Sequence, residues 1–91
     1  MLHIIQSERG LRAARPLIHS SDVVLLVEAA VYLANPSHYA HAMLPSCSLY
    51  ALSEDVTARG IMTLISNKIQ QVDFSGFVAL TETHSQNATW A

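Results

Sequence analysis

Five consecutive residues, Val23-Val24-Leu25-Leu26-Val27, restrict the fold of this chain more than any other feature of its sequence. A strand with one solvent face alternates apolar and polar residues. An unbroken run rich in β-branched residues has no solvent face to offer, and it predicts a strand covered on both sides. Crossing a bilayer would take roughly 20 apolar residues, so a run of five points instead to a buried central strand with helices above and below it.

The rest of the chain is read outward from that strand. Met1 to Gln6 is a short apolar run ending in Ser7-Glu8-Arg9, which predicts a first strand and the start of a helix. Leu11, Ala14 and Ile18 recur at helical spacing, and Pro16 ends or kinks that helix. Ser20-Ser21-Asp22 makes a polar turn into the central strand. Ala29 to Ala34 has helix-forming composition and stops at Asn35-Pro36, after which Ser37 is placed to cap a further helical turn through Met43, closed by Pro45. Cys47 to Leu52 predicts a third strand. Ser53 then serves as a cap, Glu54 and Asp55 favour a helix N-terminus, and Arg59 and Gly60 suit its end.

Ile61 to Ile65 is too short for periodicity to decide, and it stays unassigned. Ile69 to Val72 predicts a short, more polar strand, with Gln70 and Gln71 pointing to an exposed position. Asp73 or Ser75 opens a last helix built on Phe77, Val78 and Leu80, which fades into Ser85-Gln86-Asn87 before Trp90. Strands alternating with helical segments, through connections too long for hairpins, predict parallel pairing. The fold class is therefore α/β: a small layered parallel sheet of four or five strands with helices on both faces, in a single domain over residues 1–91.

Composition narrows the function classes. A chain of 91 residues buries only about 60 to 65 per cent of its unfolded surface. Here 51% of residues are hydrophobic and 13% charged, too few charges to cover the surface, which predicts that part of it is an oligomer interface. A net charge of −2 lacks the electrostatic footprint of a nucleic-acid binder, so no direct contact with nucleic acid is expected. The local exception is Arg9, Arg12 and Arg15, one basic stripe if helical, read as a solvated or partner-facing surface. The start of the chain has no basic leader region, no membrane segment is visible, and the single Cys47 excludes an internal disulfide; cytoplasmic location is the expectation.

Cys47 is the only candidate sulfur nucleophile. A reactive thiolate needs an electropositive, partly exposed setting, and Ser46 and Ser48 supply no charge, so the residue reads as structural. His38 and His41 stand three apart, a spacing that can aim two imidazoles at a metal, with no third ligand near them; His3, His19 and His84 are scattered. Glu54 and Asp55 are consecutive and would point apart on a helix, which does not suit paired acid/base work. Gly10, Gly60 and Gly76 are too far apart for a phosphate loop. No catalytic centre, cofactor or metal follows from these residues.

The segment Leu49-Tyr50-Ala51-Leu52-Ser53-Glu54-Asp55-Val56-Thr57-Ala58-Arg59-Gly60 resembles the signature of the TusB/DsrH family, a strand of the form V-Y-A-L followed by a polar residue, E-D, two residues and A-R-G. Val72-Asp73-Phe74-x-x-Phe77-Val78-x-Leu80, with His84 and Trp90, is similar to the family's closing pattern, and Met1-Leu2-His3 and Asp22 to Val27 before Val31-Tyr32 extend the likeness over nearly the whole chain. Two departures stand out. The family commonly has an acidic residue followed by glycine after the second strand, where this chain has Glu28-Ala29-Ala30. DsrH members of sulfur-oxidising bacteria tend to carry a cysteine near the first helix, and residues 12–18 have none.

The resemblance implies a DsrE/DsrF/DsrH-like fold and a heterohexamer with paralogous TusC-like and TusD-like subunits. Persulfide sulfur would pass from a cysteine desulfurase through TusA-like and TusD-like proteins to a TusE-like carrier, ending in 2-thiolation of the transfer-RNA wobble uridine. The reactive cysteine of that scheme belongs to the TusD-like subunit, and Cys47 matches no sulfur-carrying position, so this chain is expected to be a non-catalytic subunit. The alternatives are that Cys47 itself carries persulfide, a DsrH-like place in a DsrEFH sulfur-oxidation complex, and a stand-alone homo-oligomer with no sulfur role. By analogy, Glu54, Asp55 and Arg59 shape a functional or interface loop at the end of the sheet, while Trp90 packs over a neighbouring chain or over its own core.

Overall fold

The computed structural model describes the whole chain, Met1–Ala91, and places the Val23–Val27 run at the middle of a five-stranded parallel sheet. The strands are β1 (Leu2–Ile5), β2 (Val23–Leu26), β3 (Ser48–Leu52), β4 (Gln70–Val72) and β5 (Asn87–Trp90), in spatial order β4-β3-β2-β1-β5. Three α-helices accompany them: α1 (Glu8–Ala14), α2 (Ser53–Ala58) and α3 (Phe74–Thr83).

The strand order dictates where the helices lie. From β1 to β4 the chain steps one way across the sheet, and right-handed crossovers put every intervening helix on one face. The return from β4 to β5, beside β1, runs the opposite way and sends α3 to the other face. Two cores result. On one side Ile5, Val24, Leu26 and Ala51 pack with Leu11 and Ala14 of α1 and Val56 of α2. On the other, Leu2, Ile4, Leu25, Val27 and Leu52 pack beneath Phe77 and Leu80 of α3. Helices on both faces are as the sequence predicts.

Ser7 caps α1, its hydroxyl accepting from Gly10 N at 3.0 Å, and Pro16 ends the helix by turning Arg15–Leu17 into a 3-10 segment. Asp73 caps α3 by accepting from Gly76 N at 2.8 Å. Gly60 takes φ +65° just after α2, as a left-handed helix end requires. Gln70 and Gln71 of β4 are exposed at one edge of the sheet.

Other segments correct the sequence reading. Glu28–Ala34 forms a 3-10 helix and not an α-helix. Its buried residues are Ala30, Val31, Leu33 and Ala34, two pairs three apart that line up at three residues per turn, and Asn35-Pro36 follows its end. Ser37 caps nothing: its N–H is taken by Asn35 Oδ1 at 2.9 Å, and only His41–Met43 of that segment is 3-10. Ser53 is the first residue of α2 instead of its cap, with its hydroxyl on Glu54 Oε1 at 3.2 Å. Met62–Leu64 of the unassigned stretch is also 3-10. The tail around Trp90, read only as polar residues before an aromatic, is the fifth strand, and it pairs with β1.

Candidate functional site

Parallel sheets present their loops and helix starts at the carboxyl ends of the strands, and the family signature residues converge there. Glu54, on the first turn of α2, accepts from Phe74 N at 3.0 Å and so ties the start of α2 to the start of α3. Asp55 accepts from Glu28 N at 2.7 Å, joining the first turn of α2 to the segment after β2. Arg59 lies one turn beyond, 4.0 Å from Asp55, with its guanidinium 5.7 Å from the centre of the Tyr32 ring. The glutamate, the aspartate and the arginine thus hold three connections in one arrangement.

The loop after β2 is strained. Glu28 has φ +51°, the left-handed region that glycine adopts freely, and it is the only non-glycine residue to do so. The glycine of the family pattern would stand at position 29, where this chain has Ala29, and the left-handed turn falls instead on the acidic position, Glu28, whose backbone N–H is held by Asp55. Left-handed geometry costs a residue with a Cβ about 1 kcal/mol or more, and β-branched residues suffer most. Glu28→Gly is expected to be at least as stable as the parent protein, whereas Glu28→Val loses about 1 to 2 kcal/mol. Urea denaturation of both variants checks this, and a destabilised glycine variant would refute the strain.

Beneath these loops a cleft of about 260 Å³ opens on the α3 side of the sheet. Ile4, Val27, Leu52 and Phe77 form its apolar wall, and Gln6, Glu28, Asp55 and Thr89 bring polar groups to it. The lining includes no thiol.

Cys47 sits at the other end of the sheet, immediately before β3 and about 16 Å along the strand direction from Leu52. Its side chain is half-buried against the α1-side core. Burial first, and the Asp22 carboxylate second, push the thiol above its ordinary value, which disfavours the thiolate that sulfur transfer needs. The structure does not bring Cys47 together with Glu54, Asp55 or Arg59.

Trp90 is half-buried on its own core, on the α1 side. Its indole N–H donates to His3 Nδ1 at 3.2 Å, and His3 Nε2 lies 3.0 Å from Asp22 Oδ2. An indole N–H can only donate, so Nδ1 is the acceptor and Nε2 carries the proton toward Asp22. Asp22 also accepts from His19 N at 2.9 Å and from the Met1 ammonium at 3.2 Å. The His19 N–H, then His3, then the ammonium hold the Asp22 carboxyl well below the usual carboxylate range. A histidine inside the apolar run of a buried strand is the sequence signal for such a network, since a buried polar ring needs partners.

His38 and His41 also have local partners: His38 Nδ1 accepts from Ala40 N at 3.0 Å, and His41 Nδ1 donates to Leu33 O at 2.7 Å. No group of three His, Cys, Asp or Glu side chains is arranged to hold a metal ion, and no helix is long and apolar enough to cross a membrane.

Comparison with known proteins follows the same residues. A family model described as DsrH like protein matches residues 6–87. The chain is 36% identical to Protein TusB of Photorhabdus laumondii over 81% of this chain and 80% of that protein. It is 33% identical to Protein TusB of Buchnera aphidicola over 99% of this chain and 100% of that protein. With Protein TusB of Shigella dysenteriae it shares 34% identity, again over 99% and 100% of the two chains.

Proposed function

We propose, from the premise that this chain belongs to the DsrH-like protein family, that it acts in the sulfur relay that thiolates transfer RNA, as a non-catalytic subunit of a TusBCD-type complex. The observation that carries this reading is the likeness to proteins named TusB along the full length of both chains. In this role it assembles in the cytoplasm with TusC-like and TusD-like paralogues, and the persulfide is carried by the TusD-like cysteine on its way to a TusE-like carrier.

The chain's own chemistry supports the division of labour. Its one cysteine is half-buried, with no basic group to stabilise a thiolate, and the segment after β2 and the start of α2 are braced by Glu54, Asp55 and Arg59 around a cleft without a thiol. Such a subunit supplies shape, not reactivity.

The test is deletion of the gene with measurement of 2-thiouridine in transfer RNA, together with native mass of the tagged protein and its co-purifying partners. Loss of 2-thiouridine and a three-component complex are expected, and restoration by Cys47→Ser should match restoration by the parent gene. A serine variant that fails to restore thiolation while still assembling would move the sulfur onto Cys47. Normal thiolation in the deletion strain, with defective sulfur oxidation, would replace the proposal by the DsrEFH-type role.

A further inference from the structure

The five basic side chains of the protein are Arg9, Arg12, Arg15, Arg59 and Lys68, and the first three share one surface. All three are exposed, spaced three apart along α1 and the 3-10 turn that continues it. Arg12 pairs with Glu8 at 2.9 Å, while Arg9 and Arg15 form no ion pair within the chain. The Tyr39 hydroxyl also bonds Glu8, so a tyrosine that is 78% exposed is anchored beside the arginines. Arg12, Arg15, Pro16 and Met43 bound an open depression of about 500 Å³, and Leu17 next to it is 59% exposed.

Exposed arginine and tyrosine around a methionine-lined hollow is the composition that protein interfaces favour, with charge and aromatic anchors at the centre and apolar contact between them. The Glu8 bonds add pre-organisation: Tyr39 first, then Arg12, hold that carboxyl below the ordinary range and keep it charged, which fixes both neighbours. Three cations against one anion leave the surface positive on a protein whose net charge is −2. A phosphate backbone calls for a denser field than two unpaired arginines provide, and the Pro16 and Met43 side chains that complete the hollow offer it no hydrogen-bond donor.

We propose that this surface docks an acidic, partly apolar segment of a partner protein. Carboxylates of the segment meet Arg9 and Arg15, and an apolar side chain between them enters the hollow against Pro16 and Met43. The proposed function enters only in identifying that partner as a subunit of the relay complex; the surface and its chemistry stand without it.

The test uses the full-length protein and a fluorescein-labelled peptide of alternating Glu and Leu as probe, with unfractionated transfer RNA as the rival ligand. Peptide binding that weakens with salt, and weakens about tenfold or more in the Arg9→Gln/Arg12→Gln/Arg15→Gln variant but not in Lys68→Gln, is expected. Absence of peptide binding, indifference to the triple substitution, or stripe-dependent transfer-RNA binding tighter than that of the peptide would each overturn the proposal. Circular dichroism confirms that the exposed substitutions leave the fold intact. In the co-expressed complex, Arg15→Lys preserves the charge and allows carbodiimide coupling to a partner carboxylate. A complex that assembles without coupling, and is unmoved by the triple substitution, sinks the surface but not the function. A chain that binds the peptide yet assembles with no paralogue sinks the function but not the surface.

Discussion

Replacing Asp22 by alanine is expected to cost about 3 kcal/mol of folding stability, because its carboxylate is the common acceptor for three donors and removal of one partner strands the rest. For a domain of this size that corresponds to a fall of roughly 15 °C in the unfolding midpoint. The donors left without it are His19 N–H, the buried His3 ring and the Met1 ammonium. His3 is the sharpest loss, since it is 1% exposed and no water can reach it freely. Thermal unfolding followed by circular dichroism measures the effect, and a loss below about 1 kcal/mol, the worth of one ordinary hydrogen bond, would show that the network is not needed.

The same carboxylate fixes an acid limit. Its folded pKa lies below the unfolded value of about 3.9, so the stability it contributes is complete above about pH 4 and drains away as the pH falls toward the folded value. Asp22→Asn has no such group to protonate. It is expected to be less stable than the parent at pH 7 but to lose less stability between about pH 4 and pH 2.

Gly10→Ala is expected to be of similar size, at about 3 kcal/mol, for a steric reason. A Cβ on Gly10 would stand 2.4 Å from the Trp90 carbonyl oxygen and 2.9 Å from its carbon. The obstacle is backbone and cannot rotate aside. Either α1 lifts from the sheet or β5 slides, and sliding breaks the bond from Gln6 N to Trp90 O at 2.9 Å. Because the chain holds a single tryptophan, its fluorescence reports the outcome directly: a red-shifted emission with a lowered midpoint is expected, and unchanged emission with unchanged stability would show that the close approach is dispensable.

The parts of the fold legible in the sequence are those with local causes. The Val23–Val27 run states its own burial, Pro16 ends its own helix, and Asp73 caps the turn that follows it. Glu28–Ala34 misled because both its composition and its apolar spacing suit an α-helix as well as they suit the 3-10 helix it forms. β5 was hidden because a four-residue edge strand offers only Ala88 and Trp90 as inward positions, too few for alternation to register. The candidate site was legible as residue types in the family signature, Glu54, Asp55 and Arg59. Their roles were not, because each is defined by a distant backbone group or ring: Phe74 for Glu54, Glu28 for Asp55, Tyr32 for Arg59. The pairing of His3 with Trp90 spans 87 positions and leaves no local trace.

The strand order has a consequence for how the molecule comes into being. β1 is the first strand made and β5 the last, yet they are neighbours, with Leu2 opposite Asn87 and Ile5 opposite Trp90. During synthesis β1 through β4 can assemble with α1 and α2 on one side, while the flank of β1 stays unsatisfied and the opposite face stays bare until α3 and β5 arrive. Long-range parallel pairing of this kind forms slowly, and an uncovered edge is where nascent chains stick to one another. The sheet therefore stays open on the flank of β1 until residues 87–90 are in place to close it.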